Sequence, residues 1–484
     1  MVDDTIAAIS TPIGEGGIGI VRLSGKDSLK IADSIFASKS GGKPSSFRTY
    51  TVHYGYIREE GGMGRSVSGR IHAGRRGLRT ECPNPQIIDE VILSIMKAPR
   101  SYTKEDVVEI NCHSGIVPLR KILNLVLKKG ARLAGPGEFT KRAFLNGRID
   151  ILQAESVLDI IRSKTGLGLK VALNSLEGLF SNKIEEMRLN LLDVLARLEA
   201  SIDFSEEDDV DRVNKKEIFR ILKKINRDIE RFISTARESR ILRQGVNTVI
   251  CGSPNVGKSS LMNVILKESR VIVTHLPGTT RDSIEEVVNI KGVPIVLVDT
   301  AGINDTDHPV EKEGIKKSHS YIQKADLVLL VLDYSRKLKK NDLYIMRSIK
   351  QKDNIIIVVN KRDLKKHIDM KVVRRFFPKR TIVYTSAINL SGIDELEDRI
   401  KDLMFKGKAP STDLVTASND RQLDILRRSL EDIKIALDSF KSNEPLDCIA
   451  VYIRSSIETL GEITGHSITE ETLDRIFSKF CIGK

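Results

Sequence analysis

The sequence has no pair of cysteines spaced C-x-x-C. Its five cysteines (Cys82, Cys112, Cys251, Cys448 and Cys481) fit free thiols in a reducing compartment rather than a disulfide or zinc framework. No apolar stretch is long enough to cross a bilayer, and the start, MVDDTIAAIS, lacks the basic residues and apolar run of a signal peptide. These absences predict a cytoplasmic protein with no membrane partner. What the chain has in excess is positive charge, 78 Lys and Arg against 65 Asp and Glu, a net +13. That excess favours an anionic partner; charge alone leaves nucleic acid and plain solubility both open. A chain of 484 residues is too long for one hydrophobic core, so two to four domains are expected.

Short apolar runs at Ile18 to Leu23, Val91 to Met96 and Val107 to Asn111 alternate with glycine-rich turns and precede a helical run at Leu119 to Leu127. This predicts an α+β domain. Within it, residues 61–81 hold six glycines, five arginines and one acidic residue, and read as a flexible basic loop, either a solvated insertion or an RNA contact. From Asp150 the period changes. Ile184, Met187, Leu191, Leu195, Leu198 and Ile202 share one helix face, as do Ile218, Leu222, Ile225, Ile229, Phe232 and Ala236. Similar stripes return at Leu423 to Phe440 and Ile449 to Leu460. Between the helical blocks, five apolar strands (Asn247 to Cys251, Ile295 to Val298, Leu327 to Leu332, Ile355 to Val359, Ile382 to Tyr384) alternate with helices and predict a doubly wound, mainly parallel sheet. An inserted domain needs its two ends close together, which antiparallel flanking helices would allow.

The first of those strands runs into Gly252-Ser-Pro-Asn-Val-Gly257-Lys258-Ser259, a G-x-x-x-x-G-K-S loop. Its glycines let backbone N–H groups wrap phosphates at a helix N-terminus, with Asn255, Val256, Gly257, Lys258, Ser259 and Ser260 against the nucleotide. Lys258 would reach the β- and γ-phosphates and the Ser259 hydroxyl would ligate Mg²⁺. Asp299-Thr300-Ala301-Gly302 follows the next strand: Asp299 would hold the Mg²⁺ shell through water and the Gly302 N–H would sense the γ-phosphate. Asn360-Lys361-Arg362-Asp363 follows another. The Asp363 carboxylate can accept two hydrogen bonds from guanine, which adenine cannot offer, so GTP is expected over ATP. Ser386-Ala387 follows the last strand, for backbone contact with the guanine oxygen. Thr280, in Gly278-Thr279-Thr280-Arg281-Asp282, is the expected second Mg²⁺ hydroxyl, and Arg281 reads either as an arginine finger or, in preference, as a switch-loop ion-pair partner. The position after D-T-A-G is Ile303, which cannot orient water as the usual Gln does.

At this point the sequence resembles the MnmE (TrmE) family of tRNA modification GTPases over nearly its whole length. The resemblance rests on Asp4-Thr-Ile-Ala-Ala-Ile-Ser-Thr-Pro12, Gly14-Glu-Gly-Gly-Ile-Gly-Ile-Val-Arg22-Leu-Ser-Gly25, Ala98-Pro-Arg-Ser-Tyr-Thr103, Pro136-Gly-Glu-Phe-Thr140, Arg142-Ala-Phe-Leu-Asn146 and the tail Leu473-Asp-Arg-Ile-Phe-Ser-Lys-Phe-Cys-Ile-Gly-Lys484. It implies a multidomain chain of α/β and α parts. An N-terminal α+β folate-binding-like and dimerisation domain occupies 1–149, a discontinuous helical domain 150–243 and 409–484, and an inserted P-loop α/β G domain 244–408.

The family's activity implies a K⁺-stimulated GTPase. With the FAD-dependent partner MnmG (GidA), in a heterotetramer, it modifies carbon 5 of the wobble uridine of certain tRNAs, adding a carboxymethylaminomethyl or aminomethyl group. The homodimer would bind a 5-formyltetrahydrofolate-like or methylenetetrahydrofolate-like donor through Arg22, Glu109, Arg148 and Lys484. K⁺ would be held by Asn255 and the loop of Thr274, Leu276 and Thr279, and Glu311 would orient the attacking water. Thr274, Thr279, Thr280, Thr300 and Ala301 join the implied GTP contacts. The chain departs from the family pattern in the loop 61–81, in Asn304 where Arg is common, and in Ser114 in place of a Gly. Cys481 lies beside the expected folate site, where a chemical role and simple packing are both open. A ribosome-assembly or RNA-binding GTPase switch of the Era or EngA kind would share the G-domain motifs. It would leave the N-terminal motifs and the tail unexplained, and no KH-like module is found.

Overall fold

The computed structural model describes residues 4–59, 86–203, 215–269, 285–298, 321–408 and 416–484. The chain divides into two compact units, Met1–Glu155 with Ile468–Lys484, and Ser156–Ser467.

The first unit is built on a seven-stranded sheet. Its strands are β1 (Ile6–Ile9), β2 (Gly16–Ser24), β3 (Phe36–Ser38), β4 (Thr51–Glu59), β5 (Gln86–Met96), β6 (Val107–Ser114) and β7 (Arg132–Leu133), in the order β3-β4-β5-β6-β2-β1-β7. Alternation along β2 turns Val21 and Leu23 into the core and Arg22 to the other face. Helices α1 (Ser28–Ile35) and α2 (Ile116–Lys128) bury Ile31, Ile35, Leu119, Ile122 and Val126 against the core side. Helix α3 (Glu138–Leu145) follows Gly137, whose left-handed backbone (φ 63°) a side chain would strain. The tail joins this unit. A helix at Glu470–Phe477, capped by Thr469, buries Leu473, Ile476 and Phe477, and Ile482 then bridges to Pro136.

In the second unit, α4 (Ile151–Arg162, which begins in the first unit), α5 (Gly166–Leu176), α6 (Leu179–Asp203) and α7 (Lys215–Gln244) precede a six-stranded sheet. The strands are β8 (Val246–Cys251), β9 (Glu285–Ile290), β10 (Val293–Val298), β11 (Leu327–Asp333), β12 (Ile355–Asn360) and β13 (Thr381–Tyr384), in the order β13-β12-β11-β8-β10-β9. All neighbours are parallel except β9 and β10. Strands β11 and β12 are buried throughout, which explains their unbroken apolar sequence. Helices α8 (Lys258–Ser269) and α11 (Ile393–Phe405) cover one face, and α9 (Lys340–Ile349) and α10 (Met370–Phe376) cover the other. Leu396 on α11 is fully buried, so its truncation to Ala would cost about 2–5 kcal/mol. The end of α7 contributes Ile241 and Leu242 to the first of these cores. Gly245 (φ 85°) then turns the helix directly into β8, where a Cβ would lie 2.8 Å from the Pro294 carbonyl oxygen. Helices α12 (Asp420–Lys441) and α13 (Leu446–Thr464) return beside α7 and α6. Most residues of the expected helical stripes are core here, with Ile202, Leu423, Leu430 and Phe440 half-buried, and the mainly parallel sheet stands. Strand β9 was not expected: it is an antiparallel edge whose EEVVNI sequence is too short and too charged to stand out. No helix among the described residues is long and apolar enough to cross a membrane.

Candidate nucleotide and N-terminal ligand sites

Strand β8 ends at the buried Cys251, whose thiol is pushed up to about 12 by burial and stays protonated at neutral pH. The loop that follows has little room. A Cβ on Gly252 (φ 154°) would come within 2.3 Å of the Val331 carbonyl oxygen, and one on Gly257 (φ 95°) within 2.3 Å of the Asn360 amide nitrogen. Asn255 is left-handed at φ 63°. Val256 is fully buried, while Ser259 and Ser260 are exposed at the start of α8. Lys258 Nζ folds back to donate to the Ser253 carbonyl oxygen at 3.1 Å. The Ser253 hydroxyl is buried with no hydrogen-bond partner among the described residues. A glycine-shaped cradle, an orphaned hydroxyl and a lysine resting on the loop fit a polyphosphate.

The base-side loops are tied to that cradle from β11, β12 and β13. Asn360 is buried and donates through Nδ2 to the Val256 carbonyl oxygen at 3.1 Å. Its Oδ1 accepts from Thr385 Oγ1 and the Ala387 N–H, both at 3.2 Å. Lys361, left-handed at φ 66°, donates to the Asn255 carbonyl oxygen at 2.7 Å and to Asp333 Oδ2 at 2.8 Å. Burial pushes the Asp333 carboxyl up, but hydrogen bonds from Lys361 and Ser335 outweigh it and hold the group below the ordinary aspartate range. Ser386 Oγ donates to Asp363 Oδ1 and accepts from the Asn389 N–H at 3.3 Å. Asn360 and Lys361 therefore serve as braces between loops, and Asp363 and Ser386 are joined to each other.

In the N-terminal unit, Arg22 on β2 stands opposite Glu109 on β6, and Arg22 Nε donates to Glu109 Oε1 at 2.7 Å. Arg22 Nη1 also donates to the Gly483 carbonyl oxygen at 3.1 Å, and its guanidinium lies 5.6 Å from the centre of the Phe139 ring. The Lys484 carbonyl oxygen accepts from the Phe139 N–H at 3.2 Å, and the Gly483 carbonyl oxygen accepts from Ser10 Oγ at 3.1 Å. Gly483 is left-handed (φ 93°), and a Cβ there would fall 2.4 Å from the Ile9 carbonyl oxygen. Arg148 stacks over Tyr102 at 4.7 Å, and Tyr102 packs on the small apolar cluster of Ile6, Ala8, Ala134 and Phe139. Behind these residues the buried Arg142 meets Asp4, Glu105 and Glu138, while Arg132 pairs with Asp4 and Glu138. Arg148 and Lys484 have no carboxylate partner among the described residues, so this corner fits a ligand carrying carboxylate charge.

The model of the MnmE helical domain matches residues 151–481, and that of the GTP-binding protein TrmE N-terminus matches residues 5–148. The chain belongs to the MnmE family of tRNA modification GTPases. Relatives described as tRNA modification GTPase MnmE are 46% identical over 483 residues in Alkaliphilus metalliredigens and 45% identical over 483 residues in Clostridioides difficile, each alignment covering 100% of both chains. The relative of that name in Bacillus licheniformis is 44% identical over 481 residues, 99% of this chain and 100% of its own. The G domain of the T. maritima FeoB iron transporter is 27% identical over 33% of this chain and 98% of its own, with a TM-score of 0.26, too loose a superposition to bear on the site.

Against the MnmE pattern, the structure brings Asn255, Val256, Gly257, Lys258, Ser259, Ser260, Asn360, Lys361, Asp363, Ser386 and Ala387 to one end of the parallel strands. It brings Arg22, Glu109 and the tail together and places Arg148 over the neighbouring Tyr102. Thr274, Leu276, Thr279, Thr280, Asp299, Thr300, Ala301, Gly302 and Glu311 lie outside the described residues, as does the basic loop 61–81. Sequence reasoning passed over Asp333 and Thr385. A lone carboxylate closing the apolar run Leu327–Asp333 was the available signal for the first. It also gave no role to Tyr102, Phe139 or Arg142, which were visible only as family motifs.

Proposed function

We propose that the protein is a K⁺-stimulated GTP hydrolase, assembled from an N-terminal domain (1–149), a discontinuous helical domain (150–243 and 409–484) and a G domain (244–408). With an FAD-dependent MnmG partner it would modify carbon 5 of the wobble uridine of certain tRNAs. The observation that carries this proposal is the bracing of the phosphate loop to the guanine-reading loop through Asn360 and Lys361, in a chain whose relatives match it end to end.

On nucleotide binding, Lys258 Nζ exchanges the Ser253 carbonyl oxygen for the β- and γ-phosphates. The N–H groups from Asn255 to Ser260 lie at the phosphates. Asp363 accepts from the guanine edge, with Ser386 holding one carboxylate oxygen in place and the Ala387 N–H near the guanine oxygen. Ser259 and Thr280 would hold Mg²⁺, with Asp299 acting through water. Asn255, with oxygens from the loop of Thr274, Leu276 and Thr279, would hold K⁺. These two ions supply positive charge to the developing phosphate oxyanions when bound. Thr300, Ala301 and Gly302 line the γ-phosphate side, and Glu311 orients water in place of the missing Gln. In the N-terminal domain, Arg22, Arg148 and Lys484 receive the carboxylate end of a tetrahydrofolate-type donor and Glu109 its pterin edge. A cytoplasmic homodimer formed through this domain fits the free thiols and the family.

The test is GTP hydrolysis by the full chain in KCl and in NaCl of equal ionic strength. The rate should be many times higher in KCl, and Glu311→Ala should keep GTP affinity while losing the rate. Equal rates in the two salts would overturn the K⁺ assignment. An unchanged kcat in Glu311→Ala would remove Glu311 from its role.

A further inference from the structure

The net positive charge of the chain is concentrated in one segment. From Arg336 to Arg380 there are sixteen Lys and Arg against four Asp, a net +12, while the whole chain nets +13. The segment spans α9, β12 and α10. These two helices cover the same face of the sheet, because Met346 and Ile349 of α9 share an apolar cluster with Val373 of α10 and with Phe377. Their outer sides therefore lie side by side. On α9, Lys340, Tyr344 and Arg347 recur at i, i+4 and i+7 and are exposed. On and just after α10, Lys371, Arg374, Arg375 and Lys379 are exposed.

The acidic residues do not neutralise this face. Asp342 is buried and paired with Arg336, Asp369 caps α10 through the Lys371 N–H, Asp363 is held by Ser386, and Asp353 is exposed in the turn before β12, outside both helices. Arg336, Lys352, Lys361 and Arg380 are used internally. The helix-borne cations point outward instead. A protein interface needs an apolar centre, and the exposed large apolar residues of this segment are only Tyr344 and Leu364 among the described residues. A row of solvated cations without such a centre matches a phosphodiester backbone, which binds by counterion release.

We infer that the outer face of α9 and α10 docks the phosphodiester backbone of an RNA. This inference rests on tRNA being the substrate. The test uses the full chain and unfractionated tRNA as the probe, with anisotropy measured over a range of NaCl concentrations. Arg374→Ala/Arg375→Ala/Lys379→Ala should weaken binding about tenfold or more and lower the salt slope by about 2. Lys216→Ala/Arg220→Ala/Lys223→Ala, which removes equal charge from the exposed side of α7, should change binding less than about twofold on the same grounds. Intrinsic GTP hydrolysis should be unchanged in both triples and reports that they fold. Equal weakening by the two triples would reduce the effect to net charge and overturn the surface. Wild-type binding by the α10 triple would overturn it as well. Capture of the wild type by anionic phosphatidylglycerol vesicles, lost in the α10 triple while tRNA binding persists, would assign the face to a membrane instead. If the wild type fails to bind tRNA even at low salt, the tRNA substrate itself falls. If the wild type binds and only the surface variants behave wrongly, that reading survives and the surface does not.

Discussion

The nucleotide site and the N-terminal ligand corner are built by opposite means. At the nucleotide site, the described functional groups sit in short loops at the ends of parallel strands or on the first turn of α8. At the N-terminal corner, Arg22 is held by Glu109 from a distant strand and by the carbonyl oxygen of Gly483, 461 residues along the chain. The first is therefore written locally and the second is assembled by the fold. Even so, the nucleotide loops are braced to each other across the sheet through Asn360 and Lys361.

The largest effect that would sharpen this contrast is Lys258→Ala. Hydrolysis should fall by about 100-fold or more, since a phosphate-facing cation in a water-poor site contributes several kcal/mol. Calorimetric binding of 5-formyltetrahydrofolate should be unaffected. Loss of both would mean that the two sites depend on each other. Asp363→Asn comes next. It should weaken GTP by about 100-fold, roughly 2–3 kcal/mol for a charged hydrogen-bond partner, and favour xanthosine triphosphate. Retained guanine preference in a competition assay would remove Asp363 from base recognition.

Gly483→Val attacks the other site through its assembly. A left-handed backbone costs a side chain about 1–2 kcal/mol, and the new Cβ also meets the Ile9 carbonyl oxygen. Folate-type binding should drop at least about tenfold, with GTP affinity unchanged. Unaltered folate affinity would show that the tail does not complete the site. The smallest effect is at Cys251. Because its buried thiol is pushed up to about 12, iodoacetamide at pH 8 should leave it unmodified in the folded protein while it labels the exposed Cys448 and Cys481. Peptide mass mapping reads the outcome, and rapid labelling of Cys251 would mean that β8 opens.

The same contrast explains what could be seen in the sequence. Gly252 to Ser259 and Asn360 to Asp363 were legible because strand, turn and helix follow one another within a few residues, each in its own period. The strands of the parallel sheet were legible because burial on both faces leaves them uniformly apolar. Strand β9 was not, since an edge strand with glutamates at its start carries neither alternation nor an apolar run. Arg142 could not be placed either. Its partners Asp4 and Glu105 come from separate turns, and its one partner on the same helix, Glu138, is an ordinary i, i+4 pair that does not mark an arginine destined to be 3% exposed. Arg22 and Lys484 were joined only through family resemblance, because no periodicity links the second strand of a chain to its last residue.

Whether the two sites serve one reaction is tested most directly by mass analysis of tRNA nucleosides from a strain lacking this chain and carrying it back on a plasmid. Wild type should restore the carbon-5-modified wobble uridine, and Lys258→Ala and Arg22→Ala should each leave it unmodified. Full modification with Arg22→Ala, or none with wild type, would contradict a shared role for the GTPase and the tail-completed N-terminal site.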